Sequence, residues 1–99
     1  MEELKVYSLK LVGGEEVIAK INFKDTEEWE LHDARSVVMT GAGKLSLAPV
    51  IFSAAQDSVL TINPKSIAAF TTSIRPEFLE GYTNSVSPLT LPSKSIIMG

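Results

Sequence analysis

Leu11-Val12-Gly13-Gly14-Glu15-Glu16-Val17-Ile18-Ala19-Lys20-Ile21-Asn22-Phe23 reads as a turn feeding a half-buried strand. Val17, Ala19, Ile21 and Phe23 fall on one side of an extended chain, and Glu16, Lys20, Asn22 and Lys24 on the other. A period of two residues is that of a strand with one face against a core. Gly13-Gly14 is a hairpin signal, because both central positions of a type I′ turn take positive φ. The preceding run, Leu4 to Val12, alternates less regularly, with Tyr7, Leu9 and Leu11 on one face and Lys10 on the other. The two runs are expected to pair as an antiparallel hairpin.

Working outward, Asp25-Thr26-Glu27-Glu28 is a polar turn. Trp29, Leu31 and Asp33 then alternate with Glu30, His32 and Ala34, which predicts a third strand that stays extended through Ser36 to Thr40. Gly41-Ala42-Gly43 breaks it. An apolar run resumes over Leu45 to Phe52, interrupted by Pro49. Proline cannot donate to a ladder, so Pro49 marks an edge or a bulge. After a loop at Ser53 to Asp57, Val59 to Ile62 and Ile67 to Thr72 read as two short strands joined by Asn63-Pro64-Lys65-Ser66. Pro64 presets φ for the second position of that turn. Pro76 suits the first turn of a helix, and Phe78, Leu79 and Tyr82 share one helical face, which predicts a helix over Pro76–Ser85. Gly81 weakens it by roughly 1 kcal/mol relative to Ala. Residues 86–99 form a Pro/Ser-rich tail ending in Ile96-Ile97-Met98-Gly99. Five or six short strands at this spacing predict an all-β barrel or sandwich in a single domain, residues 1–99.

Composition narrows the function more by exclusion than by assignment. Apolar residues make up 44% and charged residues 21%, a balance that excludes disorder. No apolar run approaches ~18 residues, so no membrane-spanning helix is expected. Met1-Glu2-Glu3-Leu4-Lys5 lacks a basic stretch followed by an apolar core, so no secretory signal is expected. The absence of cysteine removes disulfides, thiol catalysis and thiolate metal sites together. Net charge is −3 and uneven: nine acids against four lysines in residues 1–33, three acids against five bases in residues 34–99. No basic cluster of the kind that binds phosphate is visible in the linear sequence.

Three fragments of catalytic or ligand-binding chemistry are incomplete. Gly41-Ala42-Gly43-Lys44 resembles the end of a phosphate-binding loop, but Val38 and Leu45 stand where that loop needs Gly and Ser or Thr. His32 and Asp33 are sequence neighbours, and neighbours on a strand point to opposite faces, so Asp33 is not expected to orient the imidazole. Glu27, Glu28 and Glu30 lack the oxygen count and the turn glycine of a calcium cage. Nothing places a nucleophile beside a base, so no enzyme activity, cofactor or metal is expected.

The order of these segments resembles the Sm-like (LSm) family. Leu11 to Ile21 is similar to the opening of its first motif, a glycine turn before an apolar strand. Ile62-Asn63-Pro64-Lys65-Ser66-Ile67 is similar to its second, where two isoleucines flank Arg-Gly-Asn-Asn. The resemblance is greatest to the small Sm-like proteins of marine cyanophages, whose long fourth-strand insert, C-terminal helix and Pro-Ser-Lys tail look like Leu45–Asp57, Pro76–Ser85 and Pro92–Lys94. It implies a small, strongly bent five-stranded barrel over about residues 4–73, with a short C-terminal helix and tail over 76–99. It also implies a homo-oligomeric ring of roughly five to seven subunits, a cytoplasmic location in the host cell, and single-stranded RNA as partner. The family's uracil-binding loop supplies Asp, an aromatic or Met, and Asn; Asp25 matches the first, while Glu27 and Glu28 replace the others. In the second motif Asn63 replaces the stacking Arg and Pro64 the Gly, leaving Lys65 as the cation. The candidate RNA-binding residues are therefore Asp25, Asn63 and Lys65. A point-charge Lys does not reproduce a stacked, forked Arg. The alternative is a ring that serves as an assembly or protein-interaction module and binds no RNA.

Overall fold

In the computed structural model, residues 4–55 and 58–86 are described. Tail residues 87–99, whose Ile96 and Ile97 are apolar enough to predict packing on the barrel or a neighbouring copy, lie outside them, as do Gln56 and Asp57 in the predicted loop. Six strands form one antiparallel sheet: β1 Val6–Leu11, β2 Glu16–Asn22, β3 Trp29–Met39, β4 Leu45–Pro49, β5 Leu60–Ile62 and β6 Ile67–Thr71. A helix, α1, spans Pro76–Val86. Among the described residues no helix is long and apolar enough to cross a membrane.

The sheet order is β4-β3-β2-β1-β6, and β5 also pairs with β3. The eleven residues of β3 hold two short strands along one edge: Val37 faces Leu47 of β4, and Glu30 faces Thr61 of β5. This is why six strands appear, within the five or six read from the residue pattern, where the family resemblance implied five. The apolar run over Leu45 to Phe52 stops pairing at Pro49, and the chain regains the same edge only at Leu60. From β5, a 3-10 turn at Pro64–Ser66 carries the chain to β6 on the opposite margin, where Leu9 faces Phe70. Val12 N donates to Ser66 O at 2.8 Å, tying that turn to the first hairpin. The bent sheet thus wraps a core in barrel fashion.

Leu9, Val17, Ala19, Ile21, Leu31 and Ala34 form that core, with Leu11, Trp29, Leu60 and Ile67 among the side chains packed around it. The period-two reading of β2 is recovered for Val17, Ala19 and Ile21. Phe23 continues the same face beyond the core. It lies edge-on to Trp29 at 4.6 Å and to Tyr7 at 5.5 Å, and remains 43% exposed.

Two local expectations are corrected. The first hairpin is not a two-residue type I′ turn. Leu11 N donates to Glu15 O at 2.8 Å and Gly14 N to Leu11 O at 2.9 Å, so the loop has three residues and only Gly14 takes positive φ, at 100°. A type I turn closed by a left-handed residue is the next commonest hairpin connection. The β3–β4 hairpin repeats it, with Thr40 N on Lys44 O at 2.7 Å and Gly43 at φ 81°. The backbone carbonyl of Lys44 thus closes the hairpin.

The second correction is in β3. Ile18 pairs with Arg35 and Lys20 with His32, so β3 advances three residues while β2 advances two. Asp33 sits in this bulge with φ 54°. The extra residue flips the alternation: Ala34, expected outside, is buried in the core, and Asp33, expected inside, reaches Lys20 at 3.3 Å. A bulge is a recognised means of re-aiming side chains in this way.

α1 begins at Pro76, where a missing N–H costs nothing, and Glu77 in its first turn complements the helix dipole. Tyr82 is 1% exposed, and Ile18, pointing away from the barrel core, is also buried. β2 is therefore covered on both faces, which accounts for the uninterrupted run Val17-Ile18-Ala19. Fully burying side chains of this size stabilises by ~1.5–3 kcal/mol each. Leu79, on the expected helical face, remains exposed.

Candidate nucleic-acid interface

The pairing of β3 with β5 assembles the site. Trp29 faces Ile62 in antiparallel register, so the loop entering β3 lies beside the turn leaving β5. Thr26, Glu27 and Glu28 from the loop, and Thr61, Asn63 and Lys65 from β5 and the turn, line one open depression of about 500 Å³.

Each wall is held by a short polar side chain. Asp25 Oδ1 accepts from Glu27 N at 2.7 Å and Glu28 N at 2.8 Å. Those two backbone donors hold its carboxyl below the ordinary value of 3.8, because they stabilise the charged form. Asn63 Oδ1 accepts from Lys65 N at 2.9 Å and caps the 3-10 turn. Asx side chains favour turns for this reason.

The three candidate residues therefore separate. Asn63 and Lys65 line the depression; Asp25 does not, and its Oδ1 serves the loop. The Asn63 oxygen is committed to the turn, and its amide N–H groups make no hydrogen bond among the described residues. Among the described residues Lys65 makes no ion pair, and the carboxylates of Glu27 and Glu28 line the same depression. Thr26 and Thr61 add hydroxyls that sequence reasoning did not single out. The signal for Thr61 was its place between Leu60 and Ile62, where alternation turns it away from the apolar side.

The other fragments are engaged elsewhere. His32 Nε2 meets Glu30 Oε1 at 3.3 Å, not Asp33. Glu30 also meets Lys24 at 3.5 Å and Asn22 at 3.4 Å. Burial alone would raise the Glu30 carboxyl, but the His32 and Lys24 contacts outweigh it and leave it lowered. Among the described residues no group of three His, Cys, Asp or Glu side chains is arranged to hold a metal ion. No protein-family model and no curated protein matches the chain.

Proposed function

We propose that this chain is an Sm-like ring subunit whose depression between residues 26–28 and 61–65 contacts single-stranded RNA, in phage or host RNA metabolism. The observation that carries this reading is the convergence of the loop at residues 26–28 with Asn63 and Lys65 of the β5–β6 turn on one concave surface. The two loops correspond in order to those that hold uracil in the family the sequence resembles. The ring is supported by the open sheet margins: among the described residues β6 pairs only with β1, while β4 and β5 pair only with β3. Exposed strand edges invite pairing. Joining β6 of one copy to the β4–β5 margin of the next, through one repeated heterologous interface, would close a ring, and the family resemblance implies about five to seven copies. Symmetry would then gather one Lys65 per copy.

A specific observation favours the second reading, an assembly module without RNA. Two carboxylates share the depression with one ammonium, and the Asp25 and Asn63 acceptors already serve their own turns. Titration with labelled oligo-U, oligo-A and duplex DNA at two salt concentrations separates them. RNA contact requires micromolar binding to single strands that weakens as salt rises, through counterion release. No binding at low salt leaves the assembly module.

A further inference from the structure

Beside β4, on a different surface from the candidate interface, lies an open groove of about 420 Å³ lined in part by Leu47, Ala48, Val50, Ile51, Phe52 and Leu60. Phe52 is 81% exposed and Ile51 48% exposed. Large apolar side chains left this exposed favour contact with a further apolar segment. Among the described residues Arg35 is the only charged one of the lining. Its guanidinium is already engaged, donating through Nε to Ser85 Oγ at 2.8 Å and through a terminal nitrogen to Ala34 O at 2.9 Å. Among the described residues the lining thus offers exposed apolar side chains together with polar surface and one cation that makes no ion pair, which suits an extended segment that alternates apolar and hydroxyl side chains.

Such an occupant begins at the groove's own margin. Ser85 lines it, α1 ends at Val86, and the chain continues through residues 87–99. That segment carries Leu89, Leu91, Ile96, Ile97 and Met98, with Lys94 its only charged side chain. We propose that the groove is the seat of the chain's own C-terminal segment, residues 87–99, bound in cis. Attachment at Val86 gives the segment a high effective concentration at the groove, so modest apolar contact suffices to fill it. This inference does not depend on the ring or on RNA.

The chain has no cysteine, so Ser95→Cys accepts a single nitroxide label. In the full-length labelled protein, the backbone amides of Leu47, Val50, Ile51 and Phe52 should lose NMR signal through paramagnetic broadening, whereas those of Thr26 to Glu28 should not. Phe52→Ser, a change at an exposed side chain, should restore the lost signals. Equal broadening of both sets, or none at the groove, overturns the proposal. So does broadening that appears only when isotope-labelled chains are mixed with spin-labelled ones, since that places the segment on a neighbouring copy.

Discussion

Arg35, immediately after the bulge in β3, donates through Nε to the hydroxyl of Ser85 at 2.8 Å, joining the middle of the sheet to the last turn of α1. The contact is exposed and modest in energy. It marks the line along which α1 docks, with Tyr82 buried one helical turn before Ser85.

Tyr82 carries most of that docking. Its Oη is buried with no hydrogen-bond partner among the described residues; the Lys20 main chain lies close enough to offset part of the charge effects without forming a well-shaped hydrogen bond. Burial, reinforced by the Asp33 carboxylate, holds the phenol far above its ordinary value, so it stays protonated throughout the working pH range. Tyr82→Ala should lower stability by about 3–5 kcal/mol, as for other large aromatic truncations. Tyr82→Phe should leave the denaturant midpoint unchanged or raise it, because an unpartnered buried hydroxyl costs about 1–3 kcal/mol. A fall in the Phe midpoint would show that the hydroxyl has a partner.

Asp33 at φ 54° separates backbone strain from ion pairing. Asp33→Gly removes the left-handed penalty of roughly 1–2 kcal/mol together with a partly exposed ion pair worth at most about 1 kcal/mol. Stability should therefore stay within about 1 kcal/mol of the parent. Asp33→Val, a β-branched residue where φ is positive, should lose about 1–3 kcal/mol by the same denaturation measurement. Equal effects of Gly and Val would contradict the bulge geometry.

The alternation of β2, the edge signalled by Pro49 and the helix start at Pro76 were legible because each follows from local chemistry. Ile18 was not. Strict alternation sends it to solvent, whereas it lies buried on the face where Ile74 and Phe78 arrive from the far end of the chain. The phase flip at Ala34 was hidden for a related reason: a bulge at a non-glycine residue leaves no composition signal. At the candidate site, Asn63 and Lys65 were legible as turn residues near a strand end. That Asp25 spends Oδ1 on its own loop was not, since an Asx turn and a ligand-facing carboxylate have the same sequence.

Asp25 makes the acid behaviour of the loop specific. Its folded carboxyl titrates below 3.8, held down by the Glu27 and Glu28 amides. A depressed carboxyl favours the folded loop above the ordinary value, and that contribution is lost as pH falls through the lowered one. The amide chemical shifts of Glu27 and Glu28 should therefore titrate with a midpoint below 3.8. A midpoint at or above it would contradict the two hydrogen bonds.

Lys65→Glu and Glu28→Asn test the depression from both sides. The RNA reading requires the first to weaken oligo-U binding and the second to strengthen it, with the salt dependence reduced for Lys65→Glu. If neither changes the affinity, the depression is not the contact.

The ring proposed for this chain rests on the open margins of β6 and of β4–β5 finding each other in a second copy. Light scattering coupled to size exclusion at micromolar concentration reads this directly. Edge-to-edge closure predicts a single closed oligomer, which at the copy number implied by the family resemblance is about five to seven times the 10.7 kDa chain mass. A species at 10.7 kDa would contradict it.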